Sequence, residues 1–112
     1  MYVLEQRRTR RFDLRLPIVI QYMGNEWVRQ HSETRNLSSG GVLFCLDSEV
    51  PVGQSIEYTI TLPPTGKEPQ EVRLHCVGTV VRSEQRPGDD TMQPKYAVAA
   101  TLERYEFVRE GR

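Results

Sequence analysis

The 112-residue sequence holds only two cysteines, Cys45 and Cys76, and neither belongs to a Cys-x-x-Cys or Cys/His cluster. That argues against structural zinc. With no sign of secretion, the two thiols read as reduced, buried, small apolar side chains rather than a disulfide. Net charge is also lacking: 15 basic and 15 acidic residues give zero, so bulk charge selects no polyanionic partner. No apolar run approaches the roughly 20 residues of a membrane helix, and no apolar segment follows the charged start as a signal peptide would require. A cytoplasmic domain is expected. Ser38 and Ser39 lack a visible base and elbow motif, and the glycines lack a Walker lysine. His31 and His75 sit singly, and no carboxylate cluster suggests metal chemistry. No catalytic residue, no metal and no cofactor is therefore expected. Internal repeats and low-complexity segments are missing too.

What is present is period-two alternation. Leu14, Leu16, Ile18, Ile20 and Tyr22 alternate with Arg15, Pro17, Val19, Gln21 and Met23 as a half-buried strand. Pro17 removes a ladder donor and belongs at an edge or bulge. After the Gly24-Asn25 turn, residues 27–35 form a second, weakly patterned strand, and Asn36 to Gly41 a loop. Val42 to Leu46 is a short apolar strand. Ile56, Tyr58, Ile60 and Leu62 form the clearest strand, Val72 to Arg82 a long one with Gly78 as a candidate bulge, and Tyr96 to Leu102 the last. Residues 86–94 read as a polar loop. Six short strands with no helix between them argue for an all-β, six-stranded antiparallel barrel, which leaves no exposed edge. One domain is expected over 1–112: a flexible arginine-rich arm at 1–13, the barrel at 14–102, and a tail at 103–112 forming a short helix around Tyr105, Phe107 and Val108. Trp27, the single tryptophan, is expected in the core or as a barrel lid.

Charge is unevenly placed. Residues 1–16 carry five arginines against Glu5 and Asp13, a local charge of +3. Four of them form Arg7-Arg8-Thr9-Arg10-Arg11, just ahead of the first strand. Downstream lies Asn36-Leu37-Ser38-Ser39-Gly40-Gly41. Guanidinium groups donate paired hydrogen bonds to a phosphate or to the O6/N7 edge of guanine, and stack on base faces. No lysine stands in the arm, which favours planar recognition over plain charge. The Asn-Ser-Gly turn offers an amide, a small hydroxyl, and a glycine that permits close backbone approach or positive φ.

These two motifs give the chain its resemblance to the PilZ domain family, barrel receptors for the bacterial second messenger cyclic di-GMP. Arg7 and Arg11 occupy the ends of the family's Arg-x-x-x-Arg. Asn36, Ser38 and Gly41 fill its Asp/Asn-x-Ser-x-x-Gly. Gly40 to Phe44, Val50 to Gly53 and Lys95 to Ala100 resemble the family's later strands and turn, with alanine where glycine is frequent. The resemblance implies a cyclic di-GMP receptor, not an enzyme, that signals to an unidentified protein partner as the ligand orders the arm. Arg7, Arg8, Arg11, Asn36, Ser38 and Gly41 would hold the ligand, with Arg10, Arg35 and Arg82 as further candidates. Arg35 either meets ligand or ends a strand, and Arg82 would flank a bound guanine. Two alternatives remain: a non-binding adaptor of the same fold, as in type IV pilus control, and a small nucleic-acid binder, which the acidic residues of the body oppose. Whether one or two nucleotides bind is left open.

Overall fold

The computed structural model describes residues 14–64, 71–85 and 96–109. The arm at 1–13, with Arg7, Arg8, Arg10 and Arg11, lies outside the described residues, as does the polar loop read at 86–94. Among the described residues seven antiparallel strands are formed: β1 Pro17–Met23, β2 Glu26–Ser38, β3 Gly41–Leu46, β4 Ser55–Leu62, β5 Val72–Gln85, β6 Tyr96–Thr101 and β7 Arg104–Arg109. Hydrogen-bonded neighbours run β4–β1–β2–β3–β6–β5, and β5 pairs back to β4. Six strands thus close the expected barrel, and β7 stands outside the ring on β5.

Alternation explains the core. Ile18 and Ile20, Ile56, Tyr58 and Ile60, and Val98 and Ala100 are all buried, each on the inward phase of its strand. Phe44 packs its ring 6.5 Å from that of Tyr58 at the centre. Each such side chain contributes roughly 1.5–3 kcal/mol by leaving water. Pro17 is the first residue of β1, where its missing donor costs the ladder least. The β1–β2 connection has Gly24 at φ 63°, the positive angle that the first central position of a II′ hairpin turn requires. Both cysteines are buried thiols outside any disulfide.

The structure departs from the sequence reading in four places. Gly78 is not a bulge: it pairs regularly with Ile56, and the irregularity of β5 lies between Val80 and Arg82. Strand β2 continues through Ser38 and β3 begins at Gly41, so the motif Asn36 to Gly41 is a hairpin tip with only Ser39-Gly40 unpaired. Trp27 is 78% exposed, outside the core, its ring 4.8 Å from that of Tyr22 in an edge-on contact. And no helix forms at residues 104–109. They are β7, paired with Val72–Val77 of β5. A helix this short is marginal alone, whereas an open sheet edge satisfies the backbone of every second residue at once. Register makes the edge easy to reach. Gln85 opposite Tyr96 and Val72 opposite Arg109 lie on the same register, so β6 and β7 together track β5, with a break opposite Gly78 and Thr79 and a register shift between Val80 and Arg82.

The buried centre predicts alkaline lability. Desolvation by burial pushes the Tyr58 phenol well up, with the neighbouring Cys76 adding to it, and pushes the Cys76 thiol up to about 12. Both groups ionise more readily in the unfolded chain, so they favour the fold fully below their unfolded pKa values, and that contribution drains away as pH rises. Stability should be level from about pH 7 to 8. It should then fall by about 1.4 kcal/mol per pH unit for each group past its unfolded pKa. Denaturant midpoints measured from pH 7 to 11 check this; a flat profile across pH 9 to 11 would contradict it.

Candidate functional site

Four strands carry a row of residues across the outer face of the barrel. Asn36 on β2 stands opposite Leu43 on β3, Leu43 opposite Ala99 on β6, and Ala99 opposite Arg82 on β5. A second row joins Ser38, Gly41 and Thr101. With these residues, Gly40, Val81 and Ala100 line an open groove of about 240 Å³. Strand spacing puts Asn36 and Arg82 roughly 14 Å apart at their Cα atoms. The floor between them is low, a leucine and an alanine, and suits a flat base.

Two irregularities make the row possible. In β2 the register shifts between Thr34 and Asn36, and in β5 between Val80 and Arg82. Thr34 and Val80 are both fully buried and point inward. Strict alternation would turn Asn36 and Arg82 inward as well. One extra residue in each strand, Arg35 and Val81, resets the phase, so both polar side chains reach the outer face. Thr34 locks the first irregularity in place: its hydroxyl accepts from the Leu16 N–H at 2.9 Å and donates to the Leu14 carbonyl.

The hairpin tip is held from several sides. The Ser38 hydroxyl accepts a hydrogen bond from the Gly40 N–H at 3.2 Å, which shapes the turn. The Gly40 carbonyl accepts one from the Leu102 N–H at 3.0 Å. Gly41 does not have positive φ. Its missing side chain serves close approach instead: a Cβ there would lie 2.6 Å from the Ala100 carbonyl oxygen of β6. The crowding is between strands, not with a ligand. Thr101, under the tip, donates to the Glu103 carboxylate at 2.7 Å, as Thr79 does at 2.8 Å. These hydroxyls, Thr101 first, hold the Glu103 carboxyl below the usual carboxylate range.

Of the residues read from sequence, Asn36, Ser38, Gly41 and Arg82 meet in the groove. Arg35 sits at the β2 irregularity, half-buried, and is not among the lining residues. Arg82 is exposed and its guanidinium lies 3.9 Å from the Glu84 carboxylate, a solvent-screened pair of little strength that a ligand can displace. The Asn36 amide makes no side-chain bond to a described residue. Sequence reasoning missed Leu43, Val81, Ala99 and Thr101. A signal existed for Ala99: Ala97 and Ala99 take the outward phase of β6, where strands ordinarily carry larger side chains.

Among the described residues, no group of three or more His, Cys, Asp or Glu side chains could hold a metal ion. No helix there is long and apolar enough to cross a membrane. Comparison with curated proteins returned no match, and neither did comparison with solved structures. A protein-family comparison did: residues 5–105 match the PilZ domain, a family of binding and adaptor domains, and with a closed six-stranded barrel bearing the Asn-x-Ser-x-x-Gly hairpin on its outer face, the chain belongs to that family.

Proposed function

We propose that this domain is a receptor for cyclic di-GMP. The reading is supported above all by one observation: two register shifts bring Asn36 and Arg82 onto the same outer row, on either side of Leu43 and Ala99. A guanine lying on that floor meets an amide at one edge and a guanidinium at the other: the guanidinium suits its O6/N7 edge, and the amide, both donor and acceptor, can pair with the opposite edge. Gly41 lets β3 and β6 lie close beneath the groove, and the Ser38 hydroxyl shapes the tip. Arg7, Arg8 and Arg11, with Arg10 as a further candidate, come from the arm to grip phosphate and the second base face. Arg35, at the β2 irregularity and outside the groove lining, is a further candidate to join them. Ordering of the arm over the barrel then alters the surface presented to a protein partner, which is the signal.

Calorimetry on the purified protein tests this. Binding at micromolar affinity or better, about −8 kcal/mol, is expected. No heat at tens of micromolar ligand sinks the proposal. Within the same titration series, Arg82→Ala should weaken binding by roughly tenfold, as loss of one charge-assisted contact does, and leave the melting temperature unchanged. Arg82 is already exposed, so a lowered melting temperature would assign it to the fold instead.

A further inference from the structure

Strand β7 is an edge strand. Its inner edge pairs with β5, and no described strand pairs with its outer one. Edge strands are commonly blunted by charged side chains, proline or a bulge. Arg104-Tyr105-Glu106-Phe107-Val108-Arg109 has no proline and pairs regularly with β5, so its backbone stays free to pair and its charges at 104, 106 and 109 must be answered by the partner strand. Residues opposite one another in an antiparallel pair share a face. Tyr105 stands opposite Cys76 and Phe107 opposite Leu74, so both rings extend the core side of the sheet. Yet they are 59% and 58% exposed, because the barrel does not reach beneath β7. The two rings touch edge-on at 5.9 Å and form one apolar patch.

We infer that β7 pairs antiparallel with the β7 of a second copy of this chain, about a two-fold axis at Glu106. In that register Tyr105 of each copy stands opposite Phe107 of the other. Four rings then form a cluster on one face. On the other face Arg104 stands opposite Val108 and diagonal to Glu106 of the other copy. The two glutamates at the axis are therefore flanked by an arginine on each side. A slip of one residue sets the rings against the wrong face and places Arg104 opposite Arg109. A slip of two sets Tyr105 opposite Arg109 and leaves Glu106 opposite Val108. The opposite slip of two sets Arg104 opposite Glu106 and Tyr105 opposite Tyr105 but pairs only residues 104–106 of each β7, whereas the register at Glu106 pairs residues 104–108 and sets all four rings opposite one another. Six residues of edge bury less than the roughly 1,200 Å² of a standard interface, so the association is weak and concentration-dependent.

Sedimentation velocity on the full chain tests the pairing. Monomer at about 5 μM, passing to dimer by about 500 μM, is expected. Phe107→Lys should abolish the dimer without lowering the melting temperature, since the ring is already exposed. Glu106→Arg should abolish it as well, and the double exchange Arg104→Glu with Glu106→Arg should restore it. Monomer throughout that range overturns the proposal. So does a dimer indifferent to Phe107→Lys, or one that the double exchange fails to rescue. Association that appears only after residues 1–13 are removed also overturns it, since the chain's own arm would then be the occupant of this edge. The ligand-free protein is used, so failure here leaves the nucleotide proposal standing.

Discussion

Gly78→Ala is expected to destabilise the domain more than any surface substitution, by about 3 kcal/mol or more, which lowers the melting temperature by roughly 10–15 °C. Gly78 has no positive φ and pairs regularly with Ile56, so backbone strain is not the cause. The cause is space. A Cβ at this position would lie 1.8 Å from the Thr101 carbonyl oxygen and 2.7 Å from its carbon. Those are backbone atoms, which cannot swing away as a side chain does. Thr101 is also fastened in place. Its carbonyl accepts the Tyr58 hydroxyl at 2.9 Å, and its own hydroxyl accepts the Thr79 N–H at 2.9 Å. Relief would need β6 and β5 to separate where β7 takes over from β6. Since Thr101 lines the groove, ligand affinity should fall together with stability. Thermal melts followed by circular dichroism decide it; a melting temperature within a few degrees of the parent would show that the crossing is looser than the contacts indicate.

Arg7→Ala and Arg11→Ala carry the largest effect expected on binding. If each guanidinium donates a paired hydrogen bond to phosphate or guanine, its removal costs about 1.5–3 kcal/mol, roughly a ten- to hundredfold loss in affinity. Both arginines lie outside the described residues, so the expectation rests on the family motif and on the chemistry of the guanidinium. The substitutions should leave the ligand-free melting temperature unchanged. Arg7→Lys and Arg11→Lys sharpen the question. Lysine keeps the charge but not the planar fork, so most of the loss should persist. Full recovery with lysine would make the arm a plain electrostatic attractor. Unfolding of the free protein by either alanine variant would make the arm part of the fold.

The barrel was legible because burial writes a period of two into sequence. Ile56, Tyr58 and Ile60 announce their strand, and every one is buried. What alternation cannot show is a change of phase. Val80-Val81-Arg82 reads as the tail of an apolar strand, and nothing in its composition says that Arg82 faces outward. Thr34-Arg35-Asn36 is equally mute. The site residues of the second motif were visible as types, yet their shared face was not. Trp27 misleads for a different reason: size argues for burial, but at the end of the β1–β2 hairpin its ring lies exposed, edge-on to Tyr22. The tail read as helix because Tyr105, Phe107 and Val108 sit among charges without a clear period. The deciding factor was tertiary, an unfilled edge on β5.

The register shifts at Arg35 and Val81 have a consequence for how the domain tolerates change. Each acts like a shift of reading frame: residues beyond it are assigned to the opposite side of the sheet. Deleting Val81, an exposed residue, would leave Val80 inward, Arg82 outward and Ser83 inward on an unbroken alternation, and would keep the hydrogen bond that Ser83 accepts from the Val50 N–H. Straightening β5 with Val81 retained would instead turn Arg82 toward the core and Ser83 toward solvent. The groove therefore depends on Val81 staying outside the pairing, not on the identity of its side chain.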